Sequence, residues 1–187
     1  MTHEIYIALG ANIGDRLANL RAAIRSLSPD PSTTGLDKRS TLRSGQRFEV
    51  VAVSRVYETP PWGFTDQPAF LNMTLHARTD LGPAESLERL KQIEVELGRE
   101  QTFRWGPRLI DLDILFYDDL IADTPPLVIP HPRLHERAFV LVPLMDIAPD
   151  LVHPLLGKTI RQLLADVDAT GIAPFTEQIE TTVTSKS

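Results

Sequence analysis

The stretch that decides the fold is LIDLDILFYDD, Leu109 to Asp119. It is a short apolar run closed by two aspartates and preceded by a Gly-Pro pair in RWGPR (Arg104–Arg108), so it reads as a strand entered from a loop. Just upstream, GPAESLERLKQIEVELG is an amphipathic helix. Pro83 suits its first turn, Gly98 its C-terminal stop, and Leu87, Leu90, Ile93 and Leu97 form its stripe. Before it, AFLNMTLHART alternates, with Phe70, Asn72, Thr74 and His76 on one face and Leu71, Met73 and Leu75 on the other. RFEVVAVSRVYETPPWG alternates through Phe48, Val50, Ala52 and then Val56 as one half-buried strand. DRLANLRAAIRSL is a helix with Leu17, Leu20, Ile24 and Leu27 at helical spacing and Asp15 suited to its N-terminus, and HEIYIALG is the first strand. The order is therefore strand, helix, strand, strand, helix, strand. The expectation is an α+β fold: a ferredoxin-like βαββαβ core with both helices on one face of the sheet. AFVLVPLMDIAP and TIRQLLADV add short helices that cover the other face, giving three αβα layers with extra C-terminal strands and helices.

The chain has 187 residues, which suits one core. Residues 1–170 are expected to form a single domain, interrupted at 28–46 by an inserted surface loop that is polar and without period. Residues 171–187 are read as a polar C-terminal tail. The formal net charge of -6 argues against a broad nucleic-acid surface. With no cysteine, disulfides, thiolate catalysis and Cys-ligated zinc are excluded. No apolar run reaches the length of a membrane span, and the first residues lack a basic signal region, so a cytoplasmic protein is expected.

Asp111 and Asp113 lie two apart on the strand, so both carboxylates leave one face while Leu112 and Ile114 leave the other. Two like charges in an apolar setting need a cation, or one must keep a proton. A hard ion such as Mg²⁺ meets the need, because it takes carboxylate oxygens and keeps positions for phosphate. The competing reading is an ordinary ion-pair network. Arg99, Arg104 and Arg108 fall within ten residues, and a carboxylate pair beside arginines is what phosphoryl-type transfer requires. No Walker A pattern occurs, which excludes a P-loop kinase.

These residues carry a resemblance. RWGPRLIDLDIL is similar to the signature of the 6-hydroxymethyl-7,8-dihydropterin pyrophosphokinases, and YIALGANIGDR, VSRVYETPPWGFTDQPAFLN, QIEVELGR and IPHPRLHERAFVLVPLMDIAPDL fit the same family in order. The resemblance covers most of residues 5 to 165. It implies transfer of pyrophosphate from ATP to the pterin hydroxymethyl group, with AMP released, and two Mg²⁺ ions held by Asp111 and Asp113. By the same resemblance, Phe70 and Phe139 sandwich the pterin ring, Asn72 bonds its amide-like edge, and Thr59, Pro60 and Trp62 form a loop that reaches it. Asn12 orients pterin or neighbouring loops. Glu94, Arg99, Arg104, Arg108, His131 and Arg137 serve ATP, Ile114 lines the adenine pocket, and Trp105 sits on a lid. Thr59–Pro68 and Arg99–Trp105 are the two expected lids. The partners implied are ATP and the pterin, with no nucleic acid and no membrane, acting on a monomer.

Two departures stand out. Glu100, Gln101 and Thr102 occupy positions where relatives carry a further basic residue, and Pro132 follows His131 where some place an aromatic. His131 and His135 are four apart, but Pro130 and Pro132 argue against a helical zinc pair. The alternatives are another Mg²⁺-dependent nucleotidyl or phosphoryl transferase, which would not need the aromatic and Asn72 set, and a ferredoxin-like nucleic-acid-binding module, which the acidic residues around Asp111 oppose.

Overall fold

The computed structural model describes residues 1–28, 48–99 and 106–179. Most of the expected inserted loop, Arg104, Trp105, the three residues Glu100 to Thr102 and the last eight residues lie outside the described part.

Strand β1 (His3–Ala11) leads into helix α1 (Arg16–Leu27). Asp15 caps α1 by accepting from the Ala18 amide at 3.0 Å, and Leu17, Leu20, Ile24 and Leu27 are buried, as their spacing requires. Next come β2 (Phe48–Val53), β3 (Tyr57–Thr59), β4 (Phe70–Thr79), α2 (Pro83–Glu96) and β5 (Asp111–Tyr117). Pro83 opens α2, and Gly98 follows it at φ +91°, the left-handed stop that glycine adopts most readily. A small hairpin, β6 (Ala122–Thr124) with β7 (Leu127–Ile129), precedes α3 (Ala138–Ile147), α4 (Ile160–Ala165) and a two-residue strand β8 (Ala173–Pro174).

The main sheet runs β5-β1-β4-β3-β8, with β2 also on β4, and every pairing is antiparallel. The fold is α+β. Ile5, Ile7 and Leu9 of β1, Leu71, Met73 and Leu75 of β4, and Leu112 and Ile114 of β5 face α1 and α2 in one core. Leu115 and Phe116 face α3 and α4 in a second core, against which Tyr6 and Ala8 pack.

Three expectations are corrected. The long strand of RFEVVAVSRVYETPPWG is two strands. A bulge at Val51 shifts the alternation, so Val53 and Val56, rather than Ala52, join Phe48 against the helix-side core. Ser54 then breaks the ladder: its hydroxyl accepts from the Thr74 amide at 2.9 Å and donates to the Arg55 carbonyl at 2.7 Å. Second, residues 171–179 do not all hang free as a tail. β8 pairs with β3, Phe175 donates its amide to the Val56 carbonyl, and the Gln178 side chain meets both the N–H and the C=O of Val56. A side-chain amide here takes the place of a neighbouring peptide unit. Third, the Ile114 side chain is buried in the α1/α2 core rather than open to an adenine pocket.

Candidate active site

A bulge in β5 sets the site. β1 pairs Ile7 with Ile114 and Tyr6 with Phe116, leaving Leu115 as the extra residue. Before the bulge, Asp111 and Asp113 point to the α3 side while Leu112 and Ile114 point to the α1/α2 core. After it, Leu115 and Phe116 both fill the α3-side core. The aspartates thus reach an open cleft, and the apolar residues behind them close it off.

Register builds the floor of the cleft. Gly10 pairs with Asp111 on one side and Asn72 on the other, and Ala8 pairs with Asp113 and Thr74. The Gly10 position is bare for a reason: an added Cβ would stand 2.6 Å from Asn72 Oδ1. Asn72 is buried, and its Nδ2 donates to Thr59 Oγ1 at 2.7 Å. That bond fixes the amide orientation and leaves Oδ1 over Gly10. Pro60, Trp62, Phe70, Phe139, Arg108, His131 and Arg137 complete the walls.

One end of the cleft is ionic. Asp111 Oδ1 accepts from Arg99 Nη1 at 2.7 Å and Arg108 Nη1 at 3.2 Å. Burial works against its ionisation, but Arg108, Lys91 and Arg99 hold its carboxyl below the usual range. Asp113 goes the other way: burial and the neighbouring Asp111 charge push it up. Lys91 Nζ stands 3.6 Å from Asp113. Glu94 lies behind this end. It is 2% exposed, accepts from the Leu112 amide at 2.6 Å and Lys91 Nζ at 2.8 Å, and pairs with Arg99. Burial raises its pKa.

The other end is aromatic. Trp62 and Phe139 lie 6.4 Å apart, and Arg137 stands 5.0 Å over Trp62 and 5.6 Å over Phe139. Arg137 Nε is buried without a hydrogen-bond partner among the described residues, an unmet donor beside the cleft. His131 Nε2 lies 3.3 Å from Arg137 Nη1. Burial and the Arg137 charge push the His131 imidazole down to about 4.

Of the residues named from the sequence, Asp111, Asp113, Arg108, His131, Arg137, Pro60, Trp62, Phe70, Asn72 and Phe139 share this one cleft. Arg99 reaches it through Asp111. Thr59 supports it through Asn72, and Glu94 supports it through Arg99 and the strand rather than standing as a solvated charge. Asn12 has its side chain fully engaged by the protein. It donates to Gln67 Oε1 and the Pro68 carbonyl and accepts from the Arg108 amide at 2.7 Å, tying together the two loops that flank the cleft. Ile114 is corrected: its side chain is 5% exposed in the α1/α2 core, because it alternates with Asp113. Sequence reasoning missed Lys91 and Gly10. Lys91 reads as one more polar position on a helix, and the need for glycine appears only when Asn72 is placed opposite.

For a divalent cation, Asp111 Oδ2 and the Asp113 carboxylate remain available on one face, and the energetic resistance of Asp113 to ionisation is what a cation would relieve. Two carboxylates with open positions for phosphate oxygen and water fit Mg²⁺.

A family model for 7,8-dihydro-6-hydroxymethylpterin-pyrophosphokinase (HPPK) matches residues 6–149. The 2-amino-4-hydroxy-6-hydroxymethyldihydropteridine pyrophosphokinase of Methylorubrum extorquens is 45% identical over 167 residues, covering 89% of this chain and 95% of that relative. The corresponding proteins of Bacillus subtilis and Aquifex aeolicus are 46% and 39% identical, covering 79% and 84% of this chain and 79% and 88% of their own lengths. Among solved structures, Plasmodium falciparum HPPK-DHPS with pteroate matches 89% of this chain and 42% of its own at a TM-score of 0.65 and 17% identity, a likeness of fold. The family match includes every lining residue of the cleft, from Ala8 to Val140, and the chain belongs to the 7,8-dihydro-6-hydroxymethylpterin-pyrophosphokinase family.

Proposed function

We propose that this cleft carries the family's reaction, with the pterin at its aromatic end and the ATP phosphates at its ionic end. The chain is a pyrophosphokinase of folate biosynthesis: pyrophosphate passes from ATP to the hydroxymethyl group of the pterin. The hydroxymethyl oxygen bonds to the β-phosphorus, the bond from that phosphorus to the α-phosphate oxygen breaks, AMP leaves and the hydroxyl proton is lost.

The observation that carries the assignment is the row Asp111–Gly10–Asn72. Two strand spacings separate the carboxylate from the amide, about 10 Å. That spacing accommodates a flat bicyclic ring and its hydroxymethyl arm. Asn72 Oδ1 presents an acceptor to ring N–H groups, and its Thr59 bond holds that orientation. Phe70 and Phe139 offer aromatic faces, and Pro60 and Trp62 cover the ring.

At the ionic end, Asp111 and Asp113 are the residues that would hold Mg²⁺, two ions in this reading, whose charge offsets that of the triphosphate. Arg99 and Arg108 stand ready to neutralise charge on the transferring group, and Arg137, with its unmet donor, and His131 face the same phosphates. Ile114 belongs to the nucleotide site only through its backbone, on the outer edge of β5. Arg104 and Trp105 are assigned by resemblance to the closing loop. The strand order and the two helix layers support the ferredoxin-like, three-layer reading. All residues of the proposed site come from one chain, which suits a monomer.

The test is to supply ATP, Mg²⁺ and 6-hydroxymethyl-7,8-dihydropterin and analyse the nucleotides. Pterin-dependent AMP without ADP is expected; ADP would make it an ordinary kinase. Asp111→Ala and Asp113→Ala should keep the fold and lose about 10²-fold or more of turnover, as for loss of a main electrostatic group. Wild-type turnover in either would remove the metal assignment.

A further inference from the structure

β5 is an edge strand of the main sheet, so half of its peptide groups have no neighbouring strand to bond. At Leu112 both outward groups are met by side chains of α2. Glu94 Oε1 accepts from the Leu112 amide at 2.6 Å, and Lys91 Nζ donates to the Leu112 carbonyl at 2.8 Å. The two side chains also bond each other at 2.8 Å. An acceptor and a donor, three residues apart on one helix face, thus reproduce the pattern of a missing strand.

Leu112 is the residue between Asp111 and Asp113. Its side chain is fully buried in the α1/α2 core, so the peptide cannot rotate without lifting that side chain out. The same Lys91 ammonium stands 3.6 Å from Asp113, and the same Glu94 carboxylate pairs with Arg99, which in turn bonds Asp111. One helix turn therefore reaches Asp113 directly, Asp111 through Arg99, and the backbone that spaces them.

We propose that Lys91 is a positioning residue for pyrophosphoryl transfer: together with Glu94 it clamps the Leu112 peptide and so fixes the spacing and direction of the Asp111 and Asp113 carboxylates. This rests on the reading of those aspartates as the metal-holding pair. The lysine acts through β5. Its nitrogen donates to Glu94 and to the Leu112 carbonyl and ion-pairs with Asp113 at 3.6 Å, so its two hydrogen bonds are spent within the protein.

The experiment compares Lys91→Met, which keeps the apolar stem and removes the donor, with Lys91→Arg and Asp113→Asn. In Lys91→Met, kcat should fall by about 10- to 100-fold, the scale set by misplacing a reacting group by a fraction of an ångström to 1 Å. KM for ATP should stay within about twofold, since no ground-state contact is lost. Amide exchange should quicken by about tenfold in the segment 110–114 and nowhere else in the sheet. Lys91→Arg, which can reach the same carbonyl and carboxylate, should recover most of both. Unchanged kcat and exchange in a folded Lys91→Met protein would overturn the proposal. So would a large rise in KM for ATP with kcat kept, which would make Lys91 a nucleotide contact. If Asp113→Asn itself turns over normally, the site reading fails instead, whereas a dead Asp113→Asn beside an active Lys91→Met fails only the clamp.

Discussion

Gly10→Ala separates the shape of the cleft floor from the stability of the sheet. The added Cβ would stand 2.6 Å from Asn72 Oδ1 and an ordinary 3.8 Å from Phe70 Cδ1. A carbon–oxygen contact settles near about 3.3 Å, so the amide must retreat by about 0.7 Å. It is tethered by the 2.7 Å bond to Thr59, so the retreat stretches that bond or twists Asn72 off its rotamer. Either costs about 1 kcal/mol. Against this, alanine narrows the unfolded ensemble and returns about 0.4–1 kcal/mol, because Gly10 is not among the positive-φ glycines. The two effects nearly cancel, and Tm should move by only a few degrees. Pterin binding has no such compensation. Losing the acceptor that reads the ring edge costs about 1.5–2 kcal/mol, or about 10- to 30-fold in KM for the pterin, with KM for ATP little changed. Steady-state kinetics with each substrate varied in turn provides the assay. A second arm places Gly10→Ala on an Asn72→Ala background, where the obstruction is gone and the glycine change should add almost nothing. If Gly10→Ala keeps the pterin KM within about threefold while Asn72→Ala raises it more than tenfold, the steric argument is refuted.

Two further outcomes follow from other parts of the molecule. His131 is held neutral in the fold, down to about 4 from 6.5, by burial and the Arg137 charge. Above the unfolded value both states are neutral and the full stability is present; as pH falls from 6.5 toward 4 only the unfolded chain takes the proton, so stability declines. Urea midpoints should drop across that window, and His131→Gln should flatten the slope; an unchanged slope would show that the imidazole is not the source. Separately, Gln178→Ala should lower stability by about 1–3 kcal/mol by stranding the Val56 N–H, whose carbonyl keeps the Phe175 amide, while leaving kcat and both KM values alone. An unaltered Tm would mean that the Gln178 bonds to Val56 contribute nothing to stability.

What could be read along the chain was whatever repeats locally. The α1 stripe, the Asp15 cap, and the split of β4 into an apolar row and a Phe70–Asn72–Thr74 row all follow from side-chain periods of 3.6 and 2. The shared face of Asp111 and Asp113 was legible for the same reason, because both precede the bulge at Leu115. The period failed at Val51 and Leu115, where one extra residue flips the facing of all that follows, and no residue type there announces the insertion.

The order of the core helices and strands, apart from the split into β2 and β3, was thus legible along the chain, as were the carboxylate pair and the family, since these depend on spacing and on residues read in order. Which residues meet was settled by packing. It set Gly10 between Asp111 and Asn72. It brought Lys91 and Glu94 onto the open edge at Leu112, and it recruited Gln178 to Val56 across 122 positions of chain. One cause is common to all three. An edge strand or a bare floor creates a demand for a particular donor, acceptor or absence of bulk, and the residue that meets it lies wherever folding brings it, not at a fixed distance along the chain.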